Sequence, residues 1–175
     1  MTRKVFRVRS YEPSDHAAVV NVFVEAIRQY RENHDGIQPH WQMLIDMSIK
    51  GDLADIPGVY FSTGGHYWVA TCEREDGTGE ELVGMVAILV EANGQDAELK
   101  RMAVHPGYHR CGIGRLLVST LEAWAVDKGL KRVWLGTGKP VVDAQRFYES
   151  LGYMQFDTRP VAPEVEILLY EKRLA

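Results

Sequence analysis

The segment from residue 98 to residue 124 constrains the fold of this chain more than any other. A strand is predicted for residues 98–104, and the letters HPGYHRCGIGR follow at 105–115. From Ile113 onwards, residues that would face a core recur at helical spacing: Ile113, Leu116, Leu117, Thr120, Leu121 and Trp124. The sequence therefore predicts a strand that enters a short glycine-containing loop, and a helix that begins directly after it.

A loop of this kind is suited to an anionic ligand. The first N–H groups of a helix have no partner within the helix and carry partial positive charge. Gly112 and Gly114 lack side chains, so the loop backbone can approach and wrap a pyrophosphate. The sequence predicts a nucleotide-like ligand at this loop.

Two common nucleotide-binding loops do not fit. A Walker A loop requires Gly-Lys-Ser/Thr, but Ile113 follows Gly112. A dinucleotide fingerprint requires a third glycine three residues after Gly114, where this chain has Leu117, and no βαβ unit with a ribose-binding acid follows. On this motif alone, an ordinary glycine turn between a strand and a helix remains an alternative.

Two segments carry a resemblance to a known family. The letters VHP at 104–106 and HRCGIG at 109–114 resemble motif A of the GCN5-related N-acetyltransferases (GNAT), a strand ending in Val-x-Pro followed by Gln/Arg-x-x-Gly-x-Gly/Ala. The letters AQRFYESLGY at 144–153 resemble the family's Ala-x-x-Phe/Leu-Tyr-x-x-x-Gly-Phe/Tyr. The chain departs from the family at His109, usually Gln or Arg, and at Val141 and Val142, near which the family often has Asn. The resemblance runs from about Arg7 to the C-terminus.

The resemblance implies a fold and an activity. The expected fold is α/β (α+β), with a mixed, mostly antiparallel twisted sheet flanked by helices on both faces, in one domain spanning residues 1–175. The expected activity is acetyl-CoA-dependent transfer of an acetyl group to a primary amine, directly within a ternary complex. Two alternatives remain open: an acetyltransferase acting on lysines or N-termini of proteins and peptides, and a non-catalytic acyl-CoA-binding protein.

The resemblance also implies roles for individual residues. A backbone N–H at about Met102 would stabilise the oxyanion. Tyr148 is the candidate general acid for the departing thiolate, and Glu98 the candidate base acting through water. The residues expected to bind acetyl-CoA are Met102, Ala103, Val104, His109, Arg110, Cys111, Gly112, Ile113, Gly114, Arg115, Ala144 and Phe147. The segments 31–41 and 159–164 are expected to select the acceptor, with Asn33, His34 and Trp41 as candidates.

Composition and charge limit which functional classes of protein remain possible. The net charge of −4 disfavours broad nucleic-acid binding and leans mildly towards cationic substrates such as amines. Lys100, Arg101, Arg110 and Arg115 place positive charge near the loop in sequence. Two cysteines and scattered histidines predict neither a disulfide framework nor a metal site. The longest apolar run, 82–90, is too short to span a bilayer. We therefore expect a cytoplasmic protein without a membrane partner, and a homodimer is left open.

The remaining elements follow from periodicity and from turn residues. Other strands are predicted at 5–9, 66–73, 82–91, 132–137, 153–158 and 164–173. Helices are predicted to start at Pro13 and Pro39 and to cover 113–128 and 142–151. The segment 52–65 is expected to be irregular, and 74–81 and 159–163 are expected to be exposed loops.

Overall fold

The computed structural model describes residues 4–33, 38–163 and 165–175. Its seven strands are β1 (Phe6–Ser10), β2 (His66–Glu73), β3 (Glu80–Val90), β4 (Asp96–Val104), β5 (Arg132–Gly138), β6 (Met154–Ala162) and β7 (Val165–Arg173). Its longer helices are α1 (His16–Asn33), α2 (Gln38–Lys50), α3 (Ile113–Asp127) and α4 (Val142–Ser150). Short helical turns lie at Pro13–Asp15, Asp52–Ala54, Pro57–Phe61 and Pro106–Tyr108.

The strands form a single sheet in the order β1-β2-β3-β4-β5-β7-β6. Of the neighbouring pairs, only β4 and β5 run parallel. A parallel pair needs a long crossover, and α3 supplies it on one face of the sheet. The predicted mixed, mostly antiparallel sheet is confirmed.

Each face of the sheet has its own apolar core. One core packs α3 and α4 against the sheet and contains Ile113, Leu117, Leu121 and Tyr148. The other packs α1, α2 and the turn at Pro57–Phe61 against the opposite face and contains Val19, Phe23, Ile45 and Tyr60. Side chains of β4 reach both cores. Ala97 and Leu99, two residues apart, lie in the first core, and Ala103 lies in the second because the register of β4 shifts between Leu99 and Ala103. The expected helices on both faces are therefore present.

Two predicted loops are partly regular in the structure. The prediction of a loop at 159–163 is wrong, because β6 continues to Ala162 and Arg159 pairs with Ile167. Pro160 is accommodated because β6 is the edge strand of the sheet, where a missing N–H is tolerated. The segment 52–65 is also not wholly irregular, since it holds the helical turns Asp52–Ala54 and Pro57–Phe61.

Within the described ranges, no helix combines the length and the apolar character required to cross a membrane.

Candidate functional site: a cleft between two diverging strands

The parallel strands β4 and β5 pair only at their first residues. Asp96, Ala97 and Glu98 face Arg132, Val133 and Trp134, and the pairing ends there. Beyond this point, residues 99–104 of β4 and 135–138 of β5 have no mutual partners in the described sheet. We call the space between these two segments the β4–β5 cleft. Backbone N–H and C=O groups on its two walls remain available to a ligand.

A β-bulge lies on the β4 side of this cleft. Met85 faces Ala103 and Ala87 faces Lys100, so a single residue of β3 opposes both Arg101 and Met102. Arg101 has a φ of 53°, a left-handed conformation that residues other than glycine rarely adopt. Bulges bend a strand and re-aim its groups, and they occur often beside active sites. This bulge lies at the position where the resemblance places the oxyanion N–H.

The loop at the end of β4 leads into the first N–H groups of α3, which have no acceptor within that helix. Arg110 and Gly112 both have positive φ, 62° and 82°, and α3 begins at Ile113. Left-handed residues within a turn direct successive N–H groups into a concavity that suits anions. The first N–H groups of α3 add to this concavity, because the helix contains no carbonyl group that could accept their hydrogen bonds. This backbone geometry is compatible with an anionic ligand, and the role of the loop in binding phosphates stays a prediction.

Three predicted cofactor residues from different elements meet at Gly114. A Cβ atom at this position would lie 3.1 Å from Met102 Cε of β4 and 3.1 Å from Phe147 Cζ of α4. Gly114 therefore has a packing role, since these side chains fill the space beside it. At Gly112 no atom lies within 4 Å of a Cβ, and it is the positive φ that favours glycine there. The two glycines of the motif thus serve different physical purposes.

His109 is engaged within the loop. Its ring Nε2 lies 3.1 Å from the carbonyl oxygen of Val104, and its backbone N–H donates to Pro106 O at 3.3 Å. The ring ties the loop to the end of β4, and its contact with a cofactor stays a prediction.

The remaining predicted cofactor residues divide into exposed and packed groups. Arg110, Cys111 and Arg115 are exposed, and Arg115 Nη2 lies 3.4 Å from Ser150 Oγ of α4. Ile113 is buried in the α3–α4 core and Ala103 in the α1–α2 core, so only their backbones can face a ligand. Partly buried side chains that pack on the α3–α4 core are Met102, Val104, Ala144 and Phe147.

The expected gathering of four cations at the loop is wrong in part. Arg101 pairs with Asp52 and Lys100 Nζ lies 3.7 Å from Glu98, both on the α1–α2 face. Alternation along β4 and the bulge turn these two side chains away from the loop. Arg110 and Arg115 alone of the four remain beside it.

Tyr148 is a buried phenol near the cleft. Its side chain is 6% exposed and packs against Phe147 and Tyr153, with ring centroids 5.2 Å and 5.7 Å away. Burial raises the pKa of Tyr148 well above the usual tyrosine range, and the nearby Tyr30 raises it further. The phenol is therefore protonated at every pH used for an assay, as a proton donor must be.

Glu98 occupies the last paired position of β4, where the cleft begins. Its side chain lies on the sheet face opposite Tyr148, because its neighbours Ala97 and Leu99 belong to the α3–α4 core. Burial raises the pKa of Glu98, and the nearby Lys100 opposes that shift. A carboxylate with a raised pKa is a better proton acceptor, as a general base requires.

Of the expected acceptor residues, the structure describes the surroundings of Trp41 alone. Trp41 stacks on Tyr30 with ring centroids 6.2 Å apart, and its buried indole N–H has no partner among the described residues. Asn33 is the last residue of α1, but its side chain lies outside the described part, as does His34 entirely. Their predicted roles stay predictions.

Tyr30 was not predicted from the sequence as a residue of the site. Burial raises the pKa of Tyr30, and the charge of Asp143 at the start of α4 raises it further. Tyr30 in turn influences Tyr148, so the end of α1 lies near the start of α4. Tyr30 lies outside both family motifs, so neither motif pointed to it.

Comparison with known proteins assigns the family. The sequence model of the Acetyltransferase (GNAT) family matches residues 22–153, which is most of the chain. The chain belongs to this acetyltransferase family.

Curated relatives carry the same class of name. An uncharacterized N-acetyltransferase of Mycobacterium bovis is 38% identical over 86 residues, covering 49% of this chain and 53% of that protein. N-acetyltransferase 8 of Homo sapiens is 32% identical over 118 residues, covering 65% of this chain and 49% of that protein. The matched regions thus span about half the length of these relatives.

Solved structures show the same fold. The PaiA N-acetyltransferase of Thermoplasma acidophilum, solved in complex with coenzyme A, has a TM-score of 0.77 at 20% identity, covering 97% of this chain and 99% of that chain. A GNAT-family acetyltransferase of Staphylococcus aureus Mu50 has a TM-score of 0.74 at 22% identity, covering 98% and 100%.

Proposed function

We propose that this protein is an acetyl-CoA-dependent N-acetyltransferase that acts on a primary amine within a ternary complex. The observation that carries the proposal is the β4–β5 cleft, because β4 leads from it through the glycine loop to the first N–H groups of α3, which have no acceptor within that helix. A thioester with a long arm and a pyrophosphate matches this shape, since the arm needs backbone partners and the phosphates need N–H donors. Coenzyme A in the PaiA N-acetyltransferase structure supports the same ligand class.

Residues on β4 and α4 supply the groups that acetyl transfer needs. The amine nitrogen attacks the thioester carbonyl carbon, and negative charge develops on the carbonyl oxygen. By the family resemblance, a backbone N–H at about Met102 stabilises that charge. The carbon–sulfur bond then breaks, and the Tyr148 phenol donates its proton to the thiolate.

Glu98 is suited to remove a proton from the attacking amine. An ammonium group has no lone pair, so it must lose a proton before it can attack. Glu98 and Tyr148 lie on opposite faces of the sheet, and a molecule within the β4–β5 cleft can approach both. Acid and base then act on opposite sides of one reacting carbon.

The acceptor is proposed to bind beside Tyr30 and Trp41. Their stacked rings, 6.2 Å apart, form an aromatic surface close to Tyr148. Aromatic faces attract cations, and the Asp143 carboxylate near Tyr30 adds negative charge. These features favour an amine that arrives as a cation.

The test is a panel of acceptors incubated with acetyl-CoA. The panel holds small primary amines, lysine peptides and peptides with free N-termini. Released CoA should be quantified by chromatography, because the exposed Cys111 would itself consume a thiol reagent. We expect CoA release that depends on the acceptor, with the acetylated product seen by mass spectrometry. Release with peptides alone would favour a protein acetyltransferase. Tight acetyl-CoA binding without release would indicate an acyl-CoA-binding protein and overturn the proposal.

A further inference from the structure

A buried polar cluster lies under the β4 bulge, on the α1–α2 face. Arg101 Nε donates to Asp52 Oδ2 at 2.7 Å, and Nη2 donates to the second oxygen of the same carboxylate. Arg101 Nη1 donates to Ser48 Oγ at 2.8 Å. The hydroxyl of Tyr60 also donates to Asp52. The guanidinium is therefore held at three of its nitrogens by the end of α2 and the turn that follows it.

The cluster is largely removed from solvent. The side chains of Arg101 and Asp52 are only 15% and 17% exposed, and the guanidinium lies 5.2 Å from the centre of the Phe23 ring. Burial alone would raise the pKa of Asp52, but the hydrogen bonds from Arg101 and Tyr60 outweigh it and lower that pKa. The pair is thus ionised and geometrically fixed. A two-pronged contact of this kind is stronger and more directional than a single ion pair.

Arg101 is also the residue with the unfavourable backbone conformation. Its φ of 53° persists in a non-glycine residue only where the surroundings over-determine it. The contacts with Asp52 and Ser48 are such surroundings, because they hold the side chain from a different part of the fold. A buried ion pair usually adds little to the free energy of unfolding compared with apolar packing of the same volume. A gain in stability is therefore a weak explanation for the pair between Arg101 and Asp52.

We propose that Arg101 is a positioning residue for acetyl transfer. Its two-pronged pair with Asp52 holds the β4 bulge, and the bulge directs the backbone N–H at about Met102 into the β4–β5 cleft. The inference rests on the proposed function, which assigns that N–H to the carbonyl oxygen. It adds that the end of α2, remote in sequence, sets the geometry of the oxyanion site.

A pair of substitutions at one position separates positioning from packing. Arg101→Ala and Arg101→Gly both remove the guanidinium, but glycine adopts a φ of 53° readily and alanine does not. Both are made together with Asp52→Asn, so that no unpaired charge remains buried. Complete loss of an oxyanion donor lowers kcat by about 10²–10³-fold. In the alanine form we expect the N–H at about Met102 to be partly displaced, which should lower kcat by ~10–100-fold. In the glycine form the decrease in kcat should be clearly smaller. The KM for acetyl-CoA should change little in both forms.

A spectroscopic signal tests the inference without turnover. Hydrogen bonding lowers the stretching frequency of the thioester carbonyl, which isotope-edited infrared spectroscopy resolves for acetyl-CoA labelled with ¹³C at that carbon. We expect the bound label to shift to lower frequency in the wild-type protein, to return towards the solution value in the alanine form, and to lie between them in the glycine form.

The outcomes of the two measurements are distinguishable. Equal kcat in the alanine and glycine forms, together with an unchanged carbonyl frequency, would overturn the positioning role. If the wild-type protein transfers no acetyl group to any amine, the proposed function fails, and the infrared series still decides whether Arg101 positions the N–H.

Discussion

Replacement of Tyr148 by phenylalanine removes one hydroxyl and keeps the packing of the ring. The ring contacts with Phe147 and Tyr153, at centroid distances of 5.2 Å and 5.7 Å, are retained. The hydroxyl has no hydrogen-bond partner in the part of the chain that the structure describes, so its loss leaves no described group unsatisfied. We expect the free energy of unfolding to change by less than about 1 kcal/mol.

The effect on catalysis should be far larger. A positioned proton donor typically accelerates a reaction by about 10²–10⁴-fold, so kcat of Tyr148→Phe should fall by roughly that factor. The affinity for acetyl-CoA should change little, because the proton is needed only as the carbon–sulfur bond breaks. Stopped or continuous measurement of CoA release gives kcat, calorimetry gives the affinity, and thermal unfolding gives the stability.

Tyr153→Phe is the matched control for this experiment. Tyr153 is also a buried tyrosine of the α3–α4 core, and its hydroxyl has no hydrogen-bond partner among the described residues. Its removal should leave kcat within about twofold, because this hydroxyl takes no part in the proposed reaction and its loss keeps the packing of the ring; a twofold change in kcat corresponds to well under about 1 kcal/mol. Equal kcat in the wild-type protein and Tyr148→Phe would assign Tyr148 to the core alone. An equal loss in both variants would trace the effect to packing and refute proton donation.

Two further predictions address the loop and the base. Gly112→Ala and Gly129→Ala introduce the same backbone strain, at φ of 82° and 76° with open space around each Cβ, so both should lose about 1–2 kcal/mol of stability. Only Gly112→Ala should weaken acetyl-CoA binding in calorimetry, and equal affinities would remove the loop from the cofactor site. For Glu98→Gln, turnover should fall most near neutral pH. Burial raises the pKa of Glu98, and the carboxylate can accept a proton only when it is ionised. The contribution of Glu98 to the rate therefore appears as the pH rises through that pKa. At high pH the amine deprotonates unaided and the two profiles should converge; superimposable profiles throughout would exclude Glu98 as the base.

Local features of the sequence predicted the elements that carry the site. The helical spacing after Ile113 predicted a helix over 113–128, and α3 ends one residue earlier, at Asp127. The strand before the loop and the helix around Tyr148 followed in the same way, since β4 ends at Val104 and α4 begins at Val142 as expected. Periodicity and turn residues act over a few neighbours, so a single sequence shows them directly.

The positions of the charged groups were harder to predict. Lys100 and Arg101 lie close to the loop in sequence, and their charges were expected beside it. The bulge in β4 and the alternation of its side chains turn both to the α1–α2 face instead. There Lys100 lies beside Glu98, and Asp52, some fifty residues earlier in the chain, accepts hydrogen bonds from Arg101. The residues around Asp52 in the sequence do not predict this contact, because it depends on how α2 packs on the sheet.

The sequence by itself determined the order of the elements, the glycine loop and the family, because these depend on neighbouring residues and on motif spacing. Only the tertiary structure decided that β4 and β5 part after Glu98, that Tyr30 approaches Tyr148, and that Arg101 is held from the end of α2. Each of these is a contact between segments far apart in the chain. Such contacts arise from the shared burial of apolar faces on one sheet, and the pattern of any single segment leaves them open.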